Sequence, residues 1–301
     1  MRYFRMHRAI PIILELAVVA LLPFLLAMSV IGLWNWDFSV PMIYTKHDDV
    51  WQLVLTKVLV DTGWVLDNPY LGAPDIAHWQ YHAAAQTSAI HSLIMLALSQ
   101  FIDDAVRVQQ VYYLLNFSLI SLASYLACRL LGISKIASAS VAMLFAFTNY
   151  RIQLMFYAFI PNYFAVPLSL VPVFWILTGQ FAAYFSTGHG LKAEIIEFLR
   201  SRKFWISSFS VLLVTLSDGY YAFFTLLLLV FSAAMRAIYG DIRKPARLIA
   251  PVLFIALLIS TALLMSLPLA EYKRANPGEF YPGGKADTEL FRKPMEAEVY
   301  S

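Results

Sequence analysis

Seven stretches of this sequence contain no Asp, Glu, Lys or Arg, and they restrict the possible folds more than any other feature. They are Ile76–Ile102, Val108–Cys128, Ile136–Tyr150, Ile152–Leu191, Phe204–Ser217, Gly219–Met235 and Leu248–Ala270. An eighth stretch, Ala9–Trp34, is interrupted only by Glu15. Because a helix crosses a bilayer with about 20 apolar residues, this pattern predicts an integral membrane protein.

The overall composition excludes the common alternatives. Hydrophobic residues make up 60% of the chain and charged residues 14%, whereas soluble domains average about 45–50% and about 25%. The single cysteine, Cys128, excludes an internal disulfide framework. The net charge of +3 does not indicate a nucleic-acid partner, because the basic residues lie in short clusters between apolar stretches. Membrane lipids are the expected surroundings.

We predict an all-α bundle of about seven transmembrane helices that forms one membrane domain over residues 1–301. The predicted spans are 9–34, 107–128, 136–150, 162–184, 204–217, 220–238 and 248–270. The first span is longer than the 7–15 apolar residues of a signal peptide, so we expect it to be retained. An outside segment with juxtamembrane helices, residues 35–106, separates the first two spans, and residues 271–301 form a polar outside tail.

The orientation depends on whether Tyr81–Phe101, which is uncharged but rich in polar residues, crosses the membrane. If it does not, 13 Lys and Arg residues lie on the side of the N-terminus and 9 on the other side. If it does, the counts become 10 and 12. Basic residues concentrate on the cytoplasmic side. We therefore predict that this segment lies outside on the membrane surface and that the N-terminus is inside.

An acidic pair, Asp48-Asp49, begins a predicted surface helix, Asp48–Leu59, in the outside segment. Three valines at i, i+4 and i+8 give this helix an apolar face. One explanation of the pair is structural, because carboxylates stabilise the first turn of a helix. The other is chemical: a carboxylate at the bilayer surface acts as a general base or holds a divalent cation such as Mg²⁺ or Mn²⁺.

Four further residues on the same predicted side are candidates for binding a substrate. Asp218 interrupts an apolar region in which charge is costly, and Tyr220 and Tyr221 follow it. A water-exposed hairpin tip and an interfacial tyrosine belt are the structural alternatives. Arg151, directly after the third predicted span, either binds a phosphate through its planar guanidinium or extends to water.

The histidines do not predict a metal site. His78, His82 and His91 are spaced 4 and 9 residues apart, which matches no metal-binding motif. The sequence also contains no glycine-rich phosphate loop, no G-x-S-x-G and no H-E-x-x-H. His47, beside the acidic pair, and His91 are candidate substrate-binding residues on the predicted outside face.

Several short motifs follow one another in a characteristic order. After the acidic pair comes a GW-x-x-x-NP-x-LG-x-P stretch, formed by Gly63, Trp64, Asn68, Pro69, Leu71, Gly72 and Pro74. The segments ACRLLGISK (127–135), LFAFTNYR (144–151) and LSDGYYAFF (216–224) follow. In this order they resemble the GT-C superfamily of membrane glycosyltransferases, and most closely its bacterial YfhO-like branch.

The resemblance implies transfer of a sugar from a polyprenyl-phosphate-linked donor to a cell-envelope acceptor, on the outer face of the bacterial cytoplasmic (inner) membrane. It implies a catalytic role for Asp48 or Asp49 and a phosphate contact for Arg151. Relatives often have a histidine after the third span, and residues 154–163 contain none. Relatives also have more than seven spans, so we expect an N-terminal fragment of a longer enzyme.

Two other functions stay open at this point. One is a lipid or polysaccharide transporter or flippase, and the other is a non-catalytic membrane assembly subunit. Transporters place ionisable residues and broken helices near the middle of the membrane. In this sequence the acidic residues gather at one predicted surface, which favours chemistry at the interface.

Overall fold

The computed structural model of the chain describes residues 2–41, 47–70, 77–80, 88–154, 159–185, 190–239 and 248–276. Within these residues the chain is almost entirely α-helical. The helices are α1 (Arg2–Ile31), α2 (His47–Thr62), α3 (Ala89–Ser99), α4 (Ala105–Leu130), α5 (Lys135–Ala146), α6 (Asn149–Gln153), α7 (Ala165–Leu177), α8 (Leu191–Arg200), α9 (Arg202–Thr215), α10 (Gly219–Tyr239), α11 (Ile249–Met265) and α12 (Leu267–Ala275). Two-residue strands, β1 (Asp67–Asn68) and β2 (Ala77–His78), pair antiparallel between α2 and α3.

Short polar residues begin several of these helices. Asp104, Ser134 and Ser201 precede α4, α5 and α9, and each side chain accepts a hydrogen bond from a backbone N–H of the first turn. Gly132, between α4 and α5, has a φ of +86°, which glycine adopts without a steric penalty. The chain therefore turns sharply at this point, and α5 packs back against α4.

Hydrogen bonds between α1 and α4 show that these two helices run in opposite directions. The Ser118 hydroxyl donates to the carbonyl oxygen of Ala20 (2.6 Å), and the Ser121 hydroxyl donates to that of Val19 (2.9 Å). Residue numbers therefore rise along α4 as they fall along α1. If both helices cross a membrane, the segment between them begins and ends on the same side.

The short helix α3 agrees with this geometry. It has 11 residues, a length of about 16 Å at the helical rise, whereas the hydrocarbon core of a bilayer is about 30 Å thick. The helical part of the segment 81–101 that the structure describes is thus shorter than the hydrocarbon core. Because α5 and α9 are nearly as short, the antiparallel α1 and α4, rather than the length of α3, favour the predicted surface position.

Five helical segments among the described residues are long and apolar enough to cross a membrane. They are Pro11–Ile31, Ala105–Leu130, Ala165–Phe185, Gly219–Tyr239 and Ile249–Ala275. The predicted third and fifth spans correspond to α5 and α9, which have only 12 and 14 residues, or about 18 and 21 Å. The predicted helical membrane bundle is therefore supported, while the count of seven spans is not confirmed.

α4 is the central helix of the bundle, because it packs against α1, α2, α3, α5 and α7. Beyond α7 lie α9 and α10, and α11 packs against both.

Near the start of α9 is an aromatic core, in which Phe181, Phe198, Phe204 and Phe254 have ring centroids 5.1–6.3 Å apart. We call this end, which also carries the α4–α5 turn, the Lys203 end. The opposite end, at the α9–α10 turn, is the Asp218 end.

Glu15, the acidic residue within the first predicted span, is paired with groups from neighbouring helices. Its carboxylate forms a salt bridge with Lys135 at the start of α5 and accepts a hydrogen bond from the Tyr125 hydroxyl of α4. A charge in a membrane span is tolerated when it is paired in this way. The same contacts join α1 to the α4–α5 hairpin.

We predict that removing Lys135 alone is more harmful than removing both charges of this pair. Lys135→Gln leaves the Glu15 carboxylate without its cation, whereas Glu15→Gln combined with Lys135→Gln leaves no charge to desolvate. The melting temperature in detergent micelles should fall in the single variant and partly recover in the double variant. Lys57→Gln removes the cation of a pair of similar exposure on α2, outside the predicted spans, and should change it little. Equal melting temperatures for the single and double variants would contradict this account.

Candidate functional site

Three parts of the chain that are distant in sequence meet at the Asp218 end of the bundle. The backbone N–H of Ile90, at the start of α3, donates to the carbonyl of Leu216 in the α9–α10 turn (3.0 Å). The Tyr221 hydroxyl donates to the carbonyl of Ile160 (2.5 Å). Residues 159–164 therefore lie beside the α9–α10 turn, and α3 covers the same turn.

Arg151 lies inside this region and is completely buried, with 0% of its surface exposed. Its guanidinium donates hydrogen bonds to the carbonyls of Pro161 (2.7 Å) and Tyr113 (2.6 Å) and to the side-chain oxygen of Asn162 (2.9 Å). It also stacks on the rings of Tyr113 (4.6 Å) and Phe117 (4.1 Å). Burial lowers the pKa of Arg151 to about 10, so the group stays charged at neutral pH.

This position differs from the expectation for Arg151, which was an arginine reaching a phosphate or water at the interface. Carbonyl oxygens and aromatic faces inside the bundle supply the partners that water supplies at a surface. The side chain thus joins α4 and α6 to residues 159–164. Its complete burial gives the predicted phosphate contact no support.

Asp218 is a second buried charged residue, with 7% of its surface exposed. Its carboxylate accepts the backbone N–H of Tyr220 (2.8 Å) at the start of α10. The salt bridges found among the described residues do not include it. Burial raises the pKa of the Asp218 carboxyl, and the backbone N–H groups of Tyr220 and Tyr221 partly oppose this shift.

Three tyrosines surround this carboxyl group. Tyr220 is 69% exposed and Tyr150 is half exposed, so both present aromatic rings to the surroundings. Tyr221 forms a side-chain hydrogen bond with Tyr150, and Asp218 lies close enough to both to interact electrostatically. The structure therefore places Tyr150, from the end of the third predicted span, beside Asp218 and Tyr221.

His91 is enclosed in the interior. Its ring shares a hydrogen bond with the Tyr112 hydroxyl and lies 5.7 Å from the Phe159 ring and 5.5 Å from the Phe164 ring. The carbonyl of Ser217 also faces the ring, and burial lowers the pKa of His91 to about 3. His91 is thus a neutral packing residue beneath the α9–α10 turn rather than an exposed contact.

His47, Asp48 and Asp49 form the beginning of α2, but their side chains lie outside the described part of the structure. The rest of α2 confirms the predicted helix. Its residues Leu55 and Leu59 pack in one apolar cluster with Tyr112 and Phe159, the same rings that contact His91. The helix that begins with the acidic pair therefore belongs to the Asp218 end.

An apolar cavity of about 390 Å³ begins at the Asp218 end, beside the α9–α10 turn. It lies between α9, α10 and α11, and its lining includes Thr215, Gly219 and Phe223 at one end and Leu226 further along α10. The volume falls in the range of about 300–1,000 Å³ that is common for ligand pockets. Gly219, the residue after Asp218, lines the cavity, whereas Asp218 itself is not among the lining residues.

The described residues hold no group of three or more His, Cys, Asp or Glu side chains that could bind a metal ion. The expectation of a divalent cation therefore rests on Asp48 and Asp49, whose side chains are not among the described residues. Asp218 is a single carboxylate and already accepts a backbone N–H. By itself it does not form a cation site.

The chain matches no protein-family model, no curated protein and no solved structure. Its class therefore follows from the fold: it is an integral membrane protein built as a helical bundle. Within that class, the Asp218 end combines a buried carboxyl group, half-exposed tyrosines and an adjoining apolar cavity.

We predict that Arg151→Lys destabilises the protein strongly. A lysine ammonium cannot reach three acceptors in the planar arrangement of the guanidinium, and each buried acceptor left without a donor costs about 1–3 kcal/mol. The melting temperature should therefore drop well below that of the wild type. Arg107→Lys, at an exposed position in the first turn of α4, is the matched control. A similar melting temperature for both variants would show that the contacts of Arg151 are unimportant.

The raised pKa of Asp218 predicts a specific dependence of stability on pH. The folded chain binds this proton more tightly than the unfolded chain, whose carboxyl has the ordinary pKa of 3.8. The stability that Asp218 contributes is therefore complete below that value and is lost as the pH rises through the folded-state pKa. Asp218→Asn removes this loss. The melting temperature of the variant, relative to that of the wild type, should therefore rise as the pH increases from about 3 to about 7. If the melting temperatures of the wild type and the variant change in parallel with pH, the effect of burial on Asp218 is refuted. Asp103→Asn, at an exposed site, is the control.

Proposed function

We propose that this chain is a membrane glycosyltransferase that moves a sugar from a polyprenyl-phosphate-linked donor to a cell-envelope acceptor. The observation that carries the proposal is the grouping, at one end of the bundle, of the buried Asp218 carboxyl group, the exposed Tyr150 and Tyr220 side chains and one end of an apolar cavity. A lipid-linked sugar matches this combination of apolar and polar surfaces, because its chain is apolar and its head is polar. The resemblance of the motif order to the GT-C superfamily supports the same function.

In this mechanism the acceptor hydroxyl attacks the anomeric carbon of the donor sugar. The bond between that carbon and the phosphate oxygen breaks, and the polyprenyl phosphate leaves with the electron pair. Asp48 or Asp49 removes the proton of the acceptor hydroxyl. If a divalent cation such as Mg²⁺ or Mn²⁺ binds, these two carboxylates would hold it, and it would make the hydroxyl more acidic. Asp218 and Tyr220 contact the sugar, since aromatic faces and carboxylates suit its apolar and hydroxyl surfaces.

Arg151 has a different role in this proposal. It is a positioning residue, because its hydrogen bonds hold Pro161 and Asn162 beside the α9–α10 turn. The Tyr221 hydroxyl binds the carbonyl of the neighbouring Ile160. The guanidinium therefore acts on the sugar pocket through this segment, and the lipid phosphate is bound elsewhere.

The proposal also assigns an orientation and a span count. With the N-terminus inside the bacterial cytoplasmic membrane, 13 basic residues are cytoplasmic and 9 are outside, in line with the positive-inside rule. The antiparallel α1 and α4 support this arrangement, because residues 32–104 then begin and end outside. The short helices α5 and α9 complete seven crossings within the bundle, where a locally thinned bilayer accommodates their length. The Asp218 end then faces the outer surface.

The test is transfer by the full chain in membrane vesicles, with radiolabelled polyprenyl-phosphate glucose, mannose and arabinose as separate donors. Loss of a general base lowers the rate about 10²–10⁴-fold. Asp48→Asn or Asp49→Asn should therefore reduce transfer by that factor, while Asp103→Asn leaves it unchanged. Undiminished transfer in both acidic variants would sink the assignment.

A tyrosine pair on α10 provides a matched control for the sugar contact. Tyr220 and Tyr239 are 69% and 77% exposed at opposite ends of this helix, so replacing either with alanine changes stability little. Tyr220→Ala should raise the KM for the donor, whereas Tyr239→Ala should not. An equal effect of both would place the sugar away from Asp218.

A further inference from the structure

A long apolar groove lies between α4, α5 and α7, away from the Asp218 carboxyl group. Its volume is about 460 Å³, within the range common for ligand pockets. The walls are mainly aliphatic and aromatic, and they include Ala127, Leu131, Val141, Phe145, Leu170 and Phe174. The groove is open along one side, so a membrane lipid could enter it from the bilayer.

The groove runs along the shorter helices α5 and α7 and the longer helix α4. α5 has 12 residues and packs along α4, which has 26. Pro167 in the first turn of α7 and Phe145 near the end of α5 line the groove toward the Asp218 end, and Gln180 lines it at the Lys203 end. The cavity thus follows the direction of the helices, as a hydrocarbon chain does.

The Lys203 end of the groove carries two cations. The Lys203 ammonium donates a hydrogen bond to the side chain of Gln180 (2.7 Å), and the Arg129 guanidinium donates to the carbonyl of Ile133 (2.5 Å). Gln180 and Ile133 both line the groove. Glu15, the acid that lies near Arg129, is already paired with Lys135. Positive charge is therefore in excess where the groove reaches the membrane surface.

We propose that this groove binds one anionic phospholipid. The acyl chain lies along α5, and the headgroup phosphate contacts Lys203 and Arg129. An apolar channel with cations at one end matches a lipid that has an anionic head, because burial of CH₂ groups and phosphate–cation attraction then act together. The site is separate from the proposed sugar donor site, since the two cavities have no lining residue in common.

The headgroup contact is tested with the full chain, purified in detergent and titrated with phosphatidylglycerol or with phosphatidylcholine of the same acyl chains. Native mass spectrometry measures the fraction of protein with one bound lipid. Phosphatidylglycerol should bind more tightly, and Lys203→Gln and Arg129→Gln should each weaken its binding about fivefold. Arg202→Gln, at the exposed neighbouring position, should leave it unchanged. Equal binding of the two lipids, or an equal loss in Arg202→Gln, would overturn the proposal.

The position of the acyl chain is tested on α5. Val141 lines the groove and Leu144 does not, although both are exposed. Val141→Trp should block binding of both lipids, and Leu144→Trp should not. Phosphatidylglycerol should also slow the labelling of Val141→Cys by a maleimide, because position 141 is exposed in the groove whereas the native Cys128 is buried. Unchanged labelling would overturn the proposal even if Val141→Trp failed to fold.

Discussion

The Asp218 end of this protein depends on one buried guanidinium. Arg151 holds the carbonyl of Tyr113 on α4 together with Pro161 and Asn162, so three separate parts of the chain have fixed relative positions. The segment fixed in this way supplies the carbonyl that binds Tyr221. The half-exposed tyrosines and the Asp218 carboxyl group are therefore arranged by a residue that does not itself reach the surface.

Much of the helical architecture could be predicted from the sequence. Apolar length alone locates the long helices, and a polar cap such as Asp104 or Ser201 marks where a helix begins. The count of basic residues on the two sides predicted that the segment 81–101 lies on the surface, and the antiparallel α1 and α4 agree. These features follow from hydrophobicity and charge, which act locally along the chain and are therefore readable without a structure.

Other parts of the site could not be predicted, because they depend on contacts between distant residues. Nothing in the sequence near Arg151 shows that its guanidinium will donate a hydrogen bond to the Tyr113 carbonyl. Nor does the sequence show that the Phe117 ring will stack on the guanidinium. An arginine after an apolar stretch looks the same whether it is buried or exposed. The contact of Tyr150 with Tyr221 and the short β1–β2 pair were not predicted for the same reason, since a single tyrosine and two paired residues give no periodic signal.

The salt bridge between Glu15 and Lys135 has a consequence for how the protein is made. The two residues are separated by 120 positions in the chain. A ribosome adds about 5–20 residues per second, so the first helix waits on the order of ten seconds before its cation is synthesised. During that interval a lone carboxyl group sits in the nascent helix, with neither Tyr125 nor Lys135 yet available. The pairing of Glu15 is therefore complete only after the α4–α5 hairpin has been synthesised.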